Sequence, residues 1–289
     1  MEKPATQEII DVHCHCFAGR KQAELVAFGL ARLRKAGVRH MAVMGLVNTR
    51  FSVQEIRKLI PDGFDNLGDP LFYEVDDLLR FARDNGGMLF PMVDTRCLDG
   101  DVPSLLQDYM ARGFRGIKGL YLADDANDLR IASVPEIFGI NLEQYHQREW
   151  QIFAFAETND LPVLYHMDAN RYGDMMRAML NEFPRLRINF PHFGIGRKAL
   201  SKILDVYPNV YTDIAYLLPH IQSNPVSYCD FINHYQDRVC FGSDALIYQP
   251  EIVIDYIEMV RSLKLTEDVE NKIFSENPRR YLGRALDTA

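Results

Sequence analysis

Short runs of apolar and β-branched residues alternate along this sequence with longer amphipathic segments. This alternation is typical of βα units that assemble into a parallel sheet. The runs predict eight strands, in chain order Ile9–Cys16, Val38–Gly45, Met88–Asp94, Phe114–Leu120, Pro162–Asp168, Arg187–Phe193, Val210–Ile214 and Arg238–Asp244. Eight βα units predict an α/β fold of the (β/α)8-barrel type.

Several of the intervening segments carry the signals of helix starts. Ser52 with Glu55, and Asn141 with Gln144, each fit a capping box, in which side chains satisfy the free amides of the first helical turn. Pro250 suits the first position of the last crossover helix. We therefore predict helices that begin at these three points.

Two connections, around Pro61–Pro70 and over Tyr121–Asn141, are longer than a minimal barrel needs. In a barrel, such excursions lie in βα loops, where they form lids or pocket walls. No linker, repeat or low-complexity tract divides the sequence, and barrels of about 250 residues are ordinary single domains. We predict one domain over residues 1–289 with long βα-loop insertions.

Composition narrows the classes of function. Apolar residues make up 47% of the chain and charged residues 25%, which is typical of a globular protein with a core. The formal charge is −8 and the two signs are mixed, so we expect no nucleic-acid partner. The sequence lacks a signal-like start and a run approaching the roughly 20 apolar residues of a membrane span. We expect a cytoplasmic protein with a small-molecule substrate and no membrane partner, and homo-oligomerisation is left open.

The cysteines predict reduced thiols rather than a disulfide framework. They are odd in number and scattered over a long chain, at Cys14, Cys16, Cys97, Cys229 and Cys240. Cys14 and Cys16 form CxC without a second pair, which disfavours a structural zinc ribbon. We expect small core or pocket-wall residues.

An HxH triplet lies on the first predicted strand. His13 and His15 are two residues apart, so the pleat directs both side chains to one side, and Asp11 falls on that side too. The triplet alone is only suggestive, because a lone histidine is more often a hydrogen-bonded core or surface residue. We interpret the histidines away from strand ends in that plain way: His40, His146, His220 and His234.

Three further residues with metal-ligating or catalytic side chains stand where apolar runs stop. His166 ends PVLYHMD, His192 ends INFPHFG and Asp244 ends VCFGSD. The carboxyl ends of parallel barrel strands converge on one face, where residues are typically catalytic. We predict that these three residues and the HxH pair share one mouth.

Neutral imidazoles and a carboxylate suit a borderline divalent cation. Zinc is the favoured ion, with manganese, iron and cobalt as alternatives. Such an ion lowers the pKa of a bound water towards about 7 and polarises a carbonyl. We expect Asp244 to accept the proton of that water and His192 to stabilise or protonate what forms.

Three basic residues near strand ends are candidates for binding substrate. Lys118, in GFRGIKGL, fits a cation for an anionic substrate, a carboxylated bridge between two metals, or a plain loop-anchoring lysine. Arg96 and Arg171 could each clamp a carboxylate by two parallel hydrogen bonds, although a solvated loop arginine is the commoner outcome.

Taken together, these motifs resemble the amidohydrolase superfamily. The resemblance is to the amidohydrolase-related branch, which includes aminocarboxymuconate-semialdehyde decarboxylase and several lactonases. It spans nearly the whole chain and rests on the order and separation of DVHCHC, GFRGIKG, LYHMD, FPHFG, FGSDA and NPRRYL. The resemblance implies a distorted (β/α)8 TIM barrel in which His13, His15, His166 and Asp244 bind one metal ion and His192 acts on the substrate.

The resemblance also bears on Lys118 and its surroundings. Lys118 aligns with the carboxylated lysine of binuclear members, whereas the branch is commonly mononuclear, so we expect one metal ion. Two departures concern pocket shape: cysteines flank His15, and Gly119 stands where many relatives have a histidine or an apolar residue.

The sequence thus predicts a metal-dependent hydrolase that acts on a C–N or C–O bond of a small carboxylated molecule. Decarboxylation without hydrolysis at the same site is the nearest alternative. A non-catalytic barrel that binds a metabolite or a protein partner is the alternative from another class.

Overall fold

The computed structural model describes residues 7–47, 51–61, 65–69 and 72–286. Its strands all belong to one parallel sheet and include each of the eight predicted strands. They are β1 (Ile9–His15), β2 (Val38–Leu46), β3 (Leu89–Asp94), β4 (Gly116–Leu120), β5 (Val163–His166), β6 (Ile188–Phe190), β7 (Val210–Asp213), β8 (Val239–Cys240) and β9 (Ala245–Leu246). The two-residue strand β9 was not predicted.

Neighbouring strands follow chain order from β1 to β8, and β9 pairs with the free edge of β1. Backbone hydrogen bonds join the chain after β8 to β1: Val12 N donates to Phe241 O at 2.9 Å, and Asp244 N donates to His13 O at 2.8 Å. The ring is therefore closed through the segment that contains Asp244. The fold is a distorted (β/α)8 barrel, as predicted.

The helices form the outer layer. The α-helices of the described residues are α1 (Ala23–Lys35), α2 (Val53–Lys58), α3 (Glu74–Asp84), α4 (Val102–Arg112), α5 (Val134–Phe138), α6 (Leu142–Thr158), α7 (Ala169–Glu182), α8 (Arg197–Leu204), α9 (Leu218–Ser223), α10 (Pro225–His234), α11 (Pro250–Ser262), α12 (Glu267–Asn271) and α13 (Asn277–Leu282). Short 3₁₀ turns lie at Arg20–Gln22, Asp65–Gly68, Thr95–Cys97, His192–Ile195 and Gly283–Leu286, and a π-helical turn at Lys272–Glu276.

The predicted helix starts are confirmed. Ser52 and Glu55 form a capping box at α2, Asn141 and Gln144 form one at α6, and Pro250 opens α11. The long connection after β4 is present and contains α5, whereas the connection around residues 61–70 lies partly outside the described residues.

Alternate residues of the strands face two different apolar layers. Ile10 and Val12 of β1 belong to a cluster inside the barrel, whereas Ile9 packs in the larger layer between sheet and helices. Tyr281 and Leu282 of α13 join the inner cluster. The helix α13 thus covers the amino ends of the strands and leaves the carboxyl ends open for a site.

The five cysteines are free, as predicted. None of the helices in the described ranges has the length and apolar character needed to cross a membrane.

Candidate active site

A cavity of about 190 Å³ opens at the carboxyl ends of the strands. Every predicted metal-ligating and catalytic residue contributes to its wall, together with two of the three basic candidates. The wall is formed by His13, His15, Phe17, Pro61, Arg96, Lys118, Leu120, Leu129, His166, His192, Asp244 and Leu246. We call this space the mouth cavity.

The two histidines of β1 meet the carboxylate of Asp244. Asp244 Oδ1 lies 3.3 Å from His13 Nε2 and 3.1 Å from His15 Nε2. His13 Nε2 is buried and makes no hydrogen bond to any residue in the described ranges. One carboxylate oxygen and two imidazole nitrogens therefore converge, as strand-end geometry predicts.

The other two histidines complete the ring of imidazoles. The ring centroid of His192 lies 5.2 Å from that of His13 and 5.2 Å from that of His166. One ligating atom each from His13, His192 and Asp244 lie within 4.8 Å of one another. This group of three possible ligands therefore includes His192, for which the sequence predicts a role on the substrate.

Asp213, at the end of β7, is a site residue that sequence reasoning missed. Its buried carboxylate accepts hydrogen bonds from His13 Nδ1 at 3.2 Å, Asn189 Nδ2 at 3.0 Å and the backbone N–H of His192 at 3.1 Å. Asp213 thus holds the tautomer of His13 that leaves Nε2 free for the cavity. A signal was present, because Asp213 is the last residue but one of the predicted strand Val210–Ile214.

Asp11 does not line the mouth cavity, although the pleat places it on the histidine side of β1. It is fully buried and accepts hydrogen bonds from Ser243 Oγ at 2.6 Å and from the backbone N–H groups of His13 and Ser243. Burial raises the pKa of Asp11 to about 6. Asp11 therefore joins β1 to the segment that contains Asp244 by hydrogen bonds, and so helps to fix the positions of His13 and Asp244.

Of the three basic residues predicted to bind substrate, only Lys118 has a charged group that is available to a ligand. It is 2% exposed and lines the mouth cavity, and within the described ranges its Nζ has no hydrogen bond or ion pair. Burial lowers the pKa of Lys118 to about 8, against the attraction of Asp94 and Asp244. A buried, unpaired ammonium group favours an anionic ligand.

Arg96 lines the cavity, but the N–H groups of its guanidinium are already hydrogen-bonded within the protein. Its Nε donates to both carboxylate oxygens of Asp94 at 3.1 Å, its Nη2 donates to Asp94 at 2.8 Å, and its Nη1 donates to Leu59 O. The two parallel hydrogen bonds predicted for a substrate carboxylate are therefore made to Asp94.

Arg171 lies outside the mouth cavity, unlike the position predicted from its place after β5. Its side chain is 40% exposed and bonds to Asp124 and to the carbonyl of Ala126. The start of α7 carries Arg171 away from the strand end, so that it contacts the loop after β4 instead of the mouth.

Burial and neighbouring charges set the protonation states at the cavity. Burial lowers the pKa of His13 to about 4, although Asp244 and Asp213 oppose this, and burial also lowers the pKa of His166 to about 4. Burial alone would raise the pKa of Asp244, but the adjacent His13 and His15 hold it well below its usual range. Neutral imidazoles beside an ionised carboxylate are the states that a divalent cation requires of its ligands.

Fold and site together define a barrel protein whose chemistry lies at the carboxyl ends of its strands. Residues 10–284 match the model of a family described as Amidohydrolase. The chain belongs to this amidohydrolase family, as the motifs indicated. Comparison with curated proteins gives no match.

Solved structures share the fold at low identity. An uncharacterised TIM-barrel protein from Bordetella bronchiseptica has a TM-score of 0.64 and 16% identity, over 96% of this chain and 99% of that chain. A probable 2-pyrone-4,6-dicarboxylic acid hydrolase from Acinetobacter baumannii, with citric acid bound, has a TM-score of 0.63 and 15% identity, over 96% and 99%. The phosphotriesterase homology protein from Escherichia coli, with phosphate in its active site, has a TM-score of 0.55 and 12% identity, over 96% and 100%.

Proposed function

We propose that this protein is a metal-dependent hydrolase that cleaves an amide or lactone bond of a small carboxylated molecule. The main support for the proposal is the set of side chains that line the mouth cavity. Asp244 lies within 3.3 Å of two imidazole nitrogens, and an unpaired ammonium group, that of Lys118, lines the same space. The probable 2-pyrone-4,6-dicarboxylic acid hydrolase with the same fold supports the class of reaction.

The proposed metal ligands are His13, His15, His166 and Asp244, and zinc is the favoured ion. The donor set fits such an ion, because His13 Nε2 is buried without a hydrogen-bond partner in the described ranges and lies beside an ionised carboxylate. A bound divalent ion would activate water and polarise the carbonyl of the substrate.

The residues of this chain have separate roles in the proposal. Asp244, ionised and in contact with both β1 histidines, accepts a proton. His192 donates its Nδ1 hydrogen to the carbonyl of Ala215 at 2.8 Å. When the ring also carries a proton on Nε2, that N–H donates to the developing oxyanion or transfers its proton to the leaving group. Lys118 binds a substrate carboxylate and orients it.

Hydrolysis in ¹⁸O-labelled water tests the proposal. A panel of carboxylated lactones and amides, with 2-pyrone-4,6-dicarboxylate as its first member, is incubated with zinc-loaded and chelator-treated protein. We expect a product that carries one labelled oxygen, loss of turnover after chelation, and recovery when zinc is restored.

Two outcomes would overturn this assignment. Full activity in metal-free protein would refute the metal dependence. Release of carbon dioxide without incorporation of solvent oxygen would replace hydrolysis by decarboxylation.

A further inference from the structure

Three histidines of the mouth cavity share one arrangement. Each donates one ring N–H to a fixed acceptor and makes no hydrogen bond through its other ring nitrogen in the described ranges, although His13 Nε2 lies 3.3 Å from Asp244 Oδ1. The pairs are His13 Nδ1 with Asp213 Oδ2 at 3.2 Å, His192 Nδ1 with Ala215 O at 2.8 Å, and His166 Nε2 with Asp128 Oδ2 at 2.8 Å. The first two acceptors lie at the end of β7 or just after it, whereas Asp128 belongs to a loop.

The bond to Asp128 decides which nitrogen of His166 is available. A carboxylate only accepts hydrogen bonds, so Nε2 of His166 carries the hydrogen and donates it. The lone pair is then on Nδ1. His166 is buried and lines the cavity. In this tautomer its Nδ1 carries the lone pair that a metal ion needs.

The loop that carries Asp128 is folded around the preceding residue. Asn127 is 6% exposed, its Nδ2 donates to the carbonyls of Asp124 and Ile131 at 2.9 Å, and its Oδ1 accepts the N–H of Ile131 at 3.3 Å. The next residue after Asp128, Leu129, lines the mouth cavity. A loop closed on itself in this way presents Asp128 to His166 at a defined distance.

A second set of bonds fastens the same loop to α7. Tyr172 donates its hydroxyl hydrogen to Asp124 at 2.9 Å, and Arg171 donates to Asp124 and to the carbonyl of Ala126. Since α7 follows β5 directly, His166 and the anchor of the loop are parts of one βα unit. This arrangement gives Arg171 a role in holding the loop.

We infer that Asp128 is a positioning residue of the metal site: from the loop after β4 it fixes the tautomer and orientation in which His166 receives a divalent cation. The inference rests on the proposed function, since it concerns the same metal ion. Histidine ligands commonly donate their second N–H to a carboxylate, and loss of such a partner typically lowers metal affinity 10- to 100-fold.

The test compares Asp128→Ala with Asp128→Leu and with the matched control Asp125→Asn, an exposed acid of the same loop. The first readout is the tautomer of His166 in the metal-free proteins, from two-bond ¹⁵N–¹H correlations of its imidazole. We expect the Nε2–H form in the wild type and in Asp125→Asn, and a mixture of tautomers in both Asp128 variants.

The second readout is zinc affinity, measured by competition with a chromophoric chelator. We expect a 10- to 100-fold loss of affinity in both Asp128 variants and wild-type affinity in Asp125→Asn. Asp128 is partly exposed, so at least one variant should fold, and circular dichroism verifies this. Asp128→Asn keeps a carbonyl acceptor and should lose less affinity than Asp128→Ala.

The outcomes separate this inference from the proposed function. An unchanged tautomer together with zinc affinity within twofold of the wild type overturns the role of Asp128. Tighter zinc binding in the Asp128 variants also overturns it, because Asp128 would then compete with the ion for His166. If the wild type binds no zinc, the proposed function fails, and the tautomer measurement still tests whether Asp128 sets His166.

Discussion

His192 and Asp244 adopt backbone conformations that residues other than glycine rarely adopt. Their φ angles are 57° and 61°, in the left-handed region. Each such residue costs about 1–2 kcal/mol, and this strain is typical of functional positions. The backbone after β6 and after β8 thus bends sharply where each strand ends, which turns both side chains into the mouth cavity.

Zinc content can distinguish the proposed role of His166, a metal ligand, from that of His192, which acts on the substrate. Because one ring nitrogen of His192 lies within 4.8 Å of ligating atoms of His13 and Asp244, the zinc content of a His192 variant decides whether His192 is a ligand. We expect His166→Gln to lose most of its zinc, and His192→Gln to keep about one equivalent while turnover falls roughly 10²- to 10⁴-fold. Elemental analysis of the two purified variants, with the wild type as reference, makes the comparison.

The opposite pattern would exchange the two roles. If His192→Gln loses zinc and His166→Gln retains it, His192 is a ligand and His166 acts on the substrate.

Site residues at strand ends could be predicted, and one in a loop could not. His166 and Asp244 end apolar runs, so the sequence alone places them at the mouth. Asp128 lies in a polar stretch without periodicity, and only the folded loop around Asn127 brings it to His166. Likewise, the sequence shows Arg96 after a strand, but not that Asp94 occupies its guanidinium group.

At the scale of elements, Gly119 explains a departure from the family pattern. A Cβ at Gly119 would lie 2.5 Å from the ring of Tyr165 on the neighbouring strand β5. That ring cannot move aside easily, because its hydroxyl donates to the buried Glu149 at 2.5 Å and Phe153 packs against it. Glycine is therefore required next to Lys118 by packing between β4 and β5.

Substitution of this glycine should destabilise the barrel. We expect Gly119→Ala to lower the free energy of unfolding by about 1–3 kcal/mol through overpacking. The matched control is Gly173→Ala in α7, where the nearest atom is 3.6 Å away, and a gain of about 0.5–1 kcal/mol is expected there. Urea unfolding of both variants checks the difference, and equal stability of Gly119→Ala and wild type would show that Tyr165 can move.

Strands that contain an apolar run could be predicted from the sequence, whereas a strand defined only by its hydrogen bonds to a neighbouring strand could not. All eight predicted apolar runs contain a strand, because most of their residues are buried in a parallel sheet that is covered on both faces, although the last run contributes only Val239–Cys240. Ala245–Leu246 has only two residues and no periodic signal, and it is a strand because it lies against Cys14 and His15 of β1. Closure of the ring beside Asp244 is thus a property of the whole fold.

At the scale of the whole molecule, one buried acid should govern stability near neutral pH. Burial raises the pKa of Glu74 to about 8, although the backbone N–H groups of Phe17 and Leu46 oppose this. In the unfolded chain a glutamate titrates near 4.5. Between these values the folded state holds a proton that the unfolded state has released, so stability falls as the pH rises through this window.

The expected loss attributable to Glu74 between pH 7 and pH 8 is about 1 kcal/mol. Lys118 acts in the opposite direction, because its lowered pKa favours the folded state as the pH rises from 8. The difference between wild type and Glu74→Gln in urea unfolding therefore isolates Glu74. Glu143→Gln, on an exposed helix position, is the control and should retain the wild-type slope. Parallel curves for wild type and Glu74→Gln would contradict the raised pKa.

The proposed site requires one divalent cation that joins the strand-end histidines to Asp244. Metal content of the purified wild-type protein by elemental analysis, after equilibration with zinc and removal of excess ion, tests it most directly. We expect one equivalent of zinc per chain, and its loss in His13→Gln. Protein that retains no divalent ion, or binds it equally well without His13, would refute this metal site.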